Sequence, residues 1–442
     1  MILTVSDFAD HTAMIQAAID ENKGRTVVVP SGRYIHAGVL LDGATYNNTH
    51  IVCIGELVLK PRPSTSDSNF HGTWTGLIIK DCSFVTINYR GDGQRTLQTD
   101  QEGIHLVGIA GANNISFPTF YGKEVRGDGI YISQSSWTTD STVPYNITFG
   151  TFEVVNSAND GRNAMSIISG AQIAVGSFRS IRVGGVLYGG TVTMPGGFDI
   201  EPNYDYQTVR DVHVGNAYIE TAGNFGLQIL GKSVASLGGN VRGVVIDDYH
   251  VVSTCQVGCV PVSFRHCNGV TASGRARYLG PVGVGNAGLI VDNCNDMDIQ
   301  HASEGGFQFG GRVGYEYRVV NSNISVRARN YTVAGLQTVY ATRCNFKVYA
   351  YGGAEGSSGL YTRKVSRTVA QDNNVYELYC PKAATSGAYG AYNNPNDAMT
   401  FANCRFLGGD VTGYATFAAA LNGFGDGINR IDVRGEIGRA HV

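Results

Sequence analysis

Leu289-Ile-Val-Asp-Asn-Cys-Asn-Asp-Met-Asp-Ile299 consists of a short apolar run, a polar break and a second short apolar run. The same pattern precedes it at Leu77-Ile-Ile-Lys-Asp-Cys-Ser-Phe-Val-Thr-Ile-Asn88 and Val262-Ser-Phe-Arg-His-Cys-Asn-Gly-Val-Thr-Ala272. It follows at Tyr317-Arg-Val-Val-Asn-Ser-Asn-Ile-Ser-Val-Arg327 and Val339-Tyr-Ala-Thr-Arg-Cys-Asn-Phe-Lys-Val-Tyr349. The central Cys267, Cys294, Ser322 and Cys344 are 27, 28 and 22 residues apart. A repeat of that length, made of strands too short to stand alone, predicts a solenoid. Stacked coils would place residues at matching positions in columns, so the sequence predicts which side chains are neighbours.

The composition agrees. The chain has 59 glycines in 442 residues, roughly twice the ~7% average, and only 16% charged residues. Many tight turns and a long interior fit those numbers, and a helical protein does not. A chain of this length would ordinarily divide into several globular domains, whereas a solenoid grows coil by coil. The expected organisation is one elongated body: residues 1–60 as cap and first coils, 61–435 as the β-helix. A net charge of −3 gives no reason to expect nucleic acid or membrane as partner. Met1-Ile-Leu-Thr-Val-Ser-Asp7 lacks the basic and apolar regions of a signal peptide. The nine cysteines, several at one repeat position, read as buried thiols stacked in a column rather than as a disulfide framework.

Asp10 to Glu21 carries the one clear helix signal, with Asp10 and Thr12 as caps and Met14, Ile15, Ala18 and Ile19 as an apolar stripe. After it come Thr26-Val-Val-Val-Pro-Ser-Gly-Arg-Tyr34, Gly38-Val-Leu-Leu41 and Ile51-Val-Cys-Ile-Gly-Glu-Leu-Val-Leu59. This order resembles the N-terminal cap and first coils of the pectate-lyase-like right-handed parallel β-helix superfamily, which includes phage tailspikes and bacterial polysaccharide-degrading enzymes. The resemblance implies an all-β, single-stranded right-handed parallel β-helix with a short capping α-helix near residues 10–22. It also implies a homotrimer and a virion-associated or extracellular location. Glu436-Ile-Gly-Arg-Ala-His-Val442 matches a sequencing-library adapter translated in one frame, so residues 436–442 are expected to be non-native.

Aligning coils on their first buried strand residue brings five segments into register. The inward set is Ile104/Leu106, Ile130/Ile132, Met165/Ile167, Phe198/Ile200 and Leu227/Ile229. Outward columns follow from the two-residue period. One contains Glu102, Asp128 and Asn163; the next His105, Tyr131, Ser166, Asp199 and Gln228; the third Ser133 and Glu201, with Arg162 nearby. Glycoside hydrolysis needs one carboxylic acid to protonate the leaving oxygen and one carboxylate to attack or activate water. Asp199 and Glu201 are the expected pair, Asp128 the third carboxylate, and crowding would raise one pKa.

Gly197-Phe-Asp-Ile-Glu-Pro-Asn203, Gly127-Asp-Gly-Ile130 and Asn159-Asp-Gly-Arg-Asn163 are similar to a pattern in β-helix proteins of the phage and bacterial surface-polysaccharide type. The resemblance implies a carbohydrate-facing groove at Asp128, Arg162, Asn163, Asp199, Glu201 and Asn203. Two signature motifs of polygalacturonase-type hydrolases, Asn-Thr-Asp and Arg-Ile-Lys, are absent from the chain. Arg162 beside two acids could also imitate a pectate lyase, with calcium as cofactor; the hydrolase reading needs none. Trp137, Tyr131, Tyr204 and Tyr206 could stack on sugars or simply pack. Outward Asp and Asn residues often cap turns, and His105 more often packs than catalyses. The expected function is binding and cleavage of a complex polysaccharide by a tailspike-like hydrolase. A lyase using the same site and a non-catalytic adhesin or structural spike are the alternatives.

Overall fold

Alternating burial along short strands, broken at each corner by a residue with positive φ, winds this chain into coils. The computed structural model describes residues 10–98, 103–185, 196–232, 239–255, 258–282, 285–362, 370–380, 389–393, 400–402, 404–410, 421–422 and 430–432. The chain forms two compact units, residues 1–228 with 245–248, and residues 229–244 with 249–442. Both are parallel β-helix in pairing, and the fold is the right-handed parallel β-helix with an N-terminal capping helix. Glu102 and the segment 436–442 lie outside the described residues. No helix among those residues is long and apolar enough to cross a membrane.

In the first unit one sheet runs through Val39–Asp42, Trp74–Lys80, Ile104–Ala110, Asp128–Ser133, Met165–Ile167 and Phe198–Ile200, each parallel to the next. The second runs through His50–Cys53, Ser83–Asp92, Asn113–Lys123, Tyr145–Asp160, Gly170–Val183 and Val209–Thr221. The chain visits the two sheets alternately, so each coil lays one strand on each. Corners fall at Asp81, Asn114, Asn146, Gln172 and Asp211, all with φ between +49° and +57°. Asn and Asp tolerate that left-handed backbone better than most residues.

Phenylalanines fill the interior as columns. Phe120 stacks on Phe152 at 4.5 Å, and Phe152 on Phe178 at 5.1 Å with rings 3° from parallel. Phe178 then meets Phe198 of the other sheet edge-on at 5.4 Å. The helix Thr12–Glu21 buries Ile15 and Ile19 while Met14 is exposed. Asp10 Oδ1 accepts from the Thr12 amide at 2.9 Å, and Gln16 exchanges two hydrogen bonds with the Leu40 backbone. The helix is thereby pinned to the first coil.

In the second unit Val262–Arg265, Leu289–Asp292, Phe309–Val313, Ala334–Thr338 and Ser358–Thr362 form one parallel sheet. Cys267–Tyr278, Asp298–Glu304, Asn323–Arg329, Asn345–Tyr351 and Val375–Tyr379 form another. All nine cysteines are free; eight are buried, and the Cys267 and Cys294 sulfurs stack 3.4 Å apart. The cysteine column is interrupted at Ser322. Asp298 pairs with Asn323, 25 residues on, so Ser322 sits against Met297 rather than Cys294, and its Oγ accepts from the Met297 amide. The spacing of 28 between Cys294 and Ser322 therefore overstates the coil by three residues, because Ser322 matches Met297, three residues past Cys294.

Candidate active site

Strict alternation decides the centre of the site. Tyr131, Ser166 and Asp199 occupy matching positions on three adjacent strands, between the core pairs Ile130/Ile132, Met165/Ile167 and Phe198/Ile200. Gln228 extends the row by donating from Nε2 to Asp199 Oδ1 at 3.0 Å. Asn163, in the corner before Met165, donates from Nδ2 to both Ser166 Oγ and Asp199 Oδ2, each at 2.9 Å. Asp199 is only 1% exposed, so both its oxygens are held by amides in a covered ladder.

Asp128 forms the second focus. Its Oδ1 accepts the Asn163 amide at 3.2 Å, and its Oδ2 lies 3.4 Å from both Arg162 Nη1 and His105 Nδ1. His105 is fully buried and stacks on Tyr131 with ring centroids 4.7 Å apart, 11° from parallel. The pairing differs here from the register expected by alternation. Val107 and Ile109, not Ile104 and Leu106, stand beside Ile130 and Ile132, and His105 pairs with Asp128. The segment Ile104–Ala110 is apolar at both parities, so alternation alone does not fix its register. Gly108 then falls opposite Tyr131, where a Cβ would come within 2.6 Å of the Phe70 ring. The glycine leaves room for that ring on the outer face.

The electrostatics separate the acids. Burial raises the Asp199 carboxyl well above its ordinary range, and the Glu201 charge pushes it the same way. Asp128 is also raised by burial, against the opposing pull of Arg162, Ser166 and the Asn163 amide. Arg162 is held cationic, chiefly by Asp128 and then by Asp199, Tyr131 and Glu201. Glu201 is half-buried and Asn203 exposed, and the Asn203 side chain hydrogen-bonds the Tyr131 hydroxyl.

Buried Gln207 accepts from the Asn203 and Tyr204 amides at 2.7 and 3.0 Å and so shapes the loop after Glu201. That loop joins an aromatic rim. Tyr206 stacks on Tyr204, Tyr204 meets Trp137 at 6.0 Å, and Trp137 packs against the cluster of Tyr131, Phe70 and Ile78. Phe70 and His71 belong to this rim and carry no repeat signal in the sequence. Among the described residues no group of three or more His, Cys, Asp or Glu is arranged to hold a metal.

No family model and no curated protein matches this chain. Among solved structures, a surface adhesin of Streptococcus pneumoniae, PfbA, is similar at 12% identity and a TM-score of 0.45, over 90% of this chain and 93% of that one. The A-module of the mannuronan C-5 epimerase AlgE6 of Azotobacter vinelandii follows at 11% and 0.37, covering 98% and 97%. A tailspike protein of an E. coli bacteriophage, in complex with a pentasaccharide, is similar at 11% and 0.36, covering 98% and 76%. At these identities and scores the likenesses carry nothing about chemistry, and the parallel β-helix itself is read from the strand pairing above.

Proposed function

We propose that the first unit binds and cleaves a polysaccharide by hydrolysis. Asp199 donates its proton to the leaving glycosidic oxygen. Glu201 either attacks the anomeric carbon or takes a proton from the water that does. The observation that carries this reading is the pair itself. A buried carboxyl whose pKa is raised by burial and by a neighbouring charge stands two residues from a more exposed carboxylate. Arg162, locked between the acids, holds their charge and orients substrate; Asp128 and Asn163 position it. Tyr131, Asn203 and the rim of Trp137, Tyr204 and Tyr206 offer ring faces and amides to sugars.

The lyase alternative needs Arg162 as proton acceptor. Its guanidinium is driven further from neutrality by Asp128, which counts against that role. A non-catalytic saccharide-binding surface has one observation in its favour: Asp199 is 1% exposed and both oxygens are occupied. The readings separate on product chemistry and on Asp199→Asn, tested on a panel of bacterial and plant polysaccharides. Hydrolysis gives saturated fragments that disappear in the variant. Unsaturated ends identify elimination, and saccharide binding that survives in the variant without any fragments identifies the adhesin.

A further inference from the structure

Four arginines gather on the outer face of one sheet in the second unit. Arg275 and Arg277 lie on the strand Cys267–Tyr278, and Arg327 and Arg329 on the strand Asn323–Arg329. Between these strands runs Asp298–Glu304, where Ala302 matches Arg275 and Arg327, and Glu304 matches Arg277 and Arg329. All four arginines are exposed, and together they line a cleft of about 360 Å³.

Two other arginines of this unit are tied to amides. Arg312 lies on the strand Phe309–Val313 at the position matched by Gln337 and Tyr361 on the next two strands. It donates from Nε to Gln337 Oε1 and from Nη1 to Asn286 Oδ1, both at 2.9 Å. Arg343 Nε donates to Asn321 Oδ1 at 2.7 Å. In the cluster of four, the Arg275 side chain reaches His250 Nδ1 at 3.4 Å, and the Arg327 guanidinium carbon lies 5.4 Å from the centroid of the Tyr349 ring. Neither partner is an acid. Among the described residues the side chains of Arg277 and Arg329 have no partner, and Glu304 forms no ion pair with any of the four.

The arrangement works against the sheet that carries it. Like charges at neighbouring positions of a sheet repel, and one glutamate among four arginines leaves the patch cationic. Strand geometry sets the Cα atoms of Arg275 and Arg277 about 6.5–7 Å apart, and those of Arg275 and Arg327, two strands over, roughly 9–10 Å apart. A single small ion does not span that array, whereas a chain carrying anions at intervals does. Each planar guanidinium presents paired donors to an oxyanion. Gln300 and Ser325 precede Ala302 and Arg327 by two residues, so the same face continues into a second cleft, of about 650 Å³, that they line with Asn323, Asn345 and Tyr349. There Asn345 Nδ2 donates to Asn323 Oδ1 at 2.8 Å. Amides and hydroxyls in such a row exchange hydrogen bonds with sugar hydroxyls.

We infer that this face binds an acidic polysaccharide, its carboxylate or sulfate groups on the four arginines and its hydroxyls over the amide cleft. A nucleic acid, charged at every unit, would meet Glu304 in the middle of the patch, where a glycan places a hydroxyl. The surface shares no residue with the cleavage site of the first unit and does not depend on it.

Calorimetric titration of the full chain tests the inference with four hexamers: galacturonic acid, its methyl ester, a sulfated glucan and thymidylate. At least one of the two acidic glycans should bind roughly tenfold or more tighter than the ester, and the comparison between them identifies the group held. Arg277→Ser combined with Arg329→Ser should weaken that binding by about tenfold or more, and Asp199→Asn should leave it unchanged. The doubly substituted chain loses no internal side-chain contact among the described residues, so its fold is retained. Equal binding of the acidic and esterified hexamers, thymidylate bound as tightly as the better acidic glycan, or full affinity in the doubly substituted chain would overturn the inference. Loss of the affinity in Asp199→Asn would move the binding to the first unit and overturn it equally.

Discussion

The first unit arranges acids around a cation, and the second arranges amides around one. Asp128 and Asp199 surround Arg162, whereas Asn286 and Gln337 hold Arg312. Both clusters draw on matching positions of adjacent parallel strands, Ser166 and Asp199 in the first and Arg312 and Gln337 in the second. In the first, burial and the crowding of acids push the Asp199 carboxyl up. In the second, two amide oxygens orient the guanidinium. One strand frame therefore carries either an acid or a base, depending on which side chains occupy one column.

The contrast breaks most sharply on Asp199. If Asp199 is the proton donor, Asp199→Asn lowers polysaccharide cleavage about 10²–10⁴-fold by reducing-end release, the usual span for a general acid.

The arginines come next. Arg162→Met leaves the fully buried Asp128 without its cation, at a cost of about 3–5 kcal/mol in urea unfolding. Arg312→Met removes two hydrogen bonds to amide oxygens and should cost about 1–3 kcal/mol. Equal losses would erase the distinction drawn between the two clusters.

Protons sharpen it further. His301, hydrogen-bonded to the Tyr249 hydroxyl at 2.8 Å, is pushed by burial from 6.5 down to about 3. Between those values the unfolded chain binds the extra proton. Stability from this group is therefore full above pH 6.5 and is lost as pH falls, by about 1.4 kcal/mol per unit. Asp199 has the opposite sign. Its folded carboxyl holds a proton that the unfolded chain releases above pH 3.8, so its contribution is lost as pH rises. His301→Gln should flatten the acid limb of a stability–pH curve and Asp199→Asn the other.

The smallest effect is at Gly108, where an added methyl would meet Phe70 at 2.6 Å. Gly108→Ala should cost about 1–3 kcal/mol by displacing that ring, visible as a modest drop in thermal midpoint.

The columns were legible in the sequence wherever one parity alone is apolar. Met165-Ser-Ile167 and Phe198-Asp-Ile200 admit a single register, and Ser166 and Asp199 do stand side by side. Ile104-His-Leu-Val-Gly-Ile-Ala110 is apolar at both parities, and there the expected register was three residues out. The Cys294–Ser322 spacing misleads by the same amount, because Ser322 matches Met297 rather than Cys294. Arg312, Gln337 and Tyr361 carry a readable column too, but it appears only once the corners are placed. Phe70 and His71 come from an irregular segment between strands, and no periodicity announces them.

The measurement that bears most directly on the central claim is product analysis in heavy-oxygen water, using the native chain and Asp199→Asn on the same polysaccharide panel. The account predicts saturated fragments carrying one heavy oxygen at the new reducing end, absent from the variant. Unlabelled unsaturated fragments, or labelled ones that the variant still makes at the native rate, would contradict it.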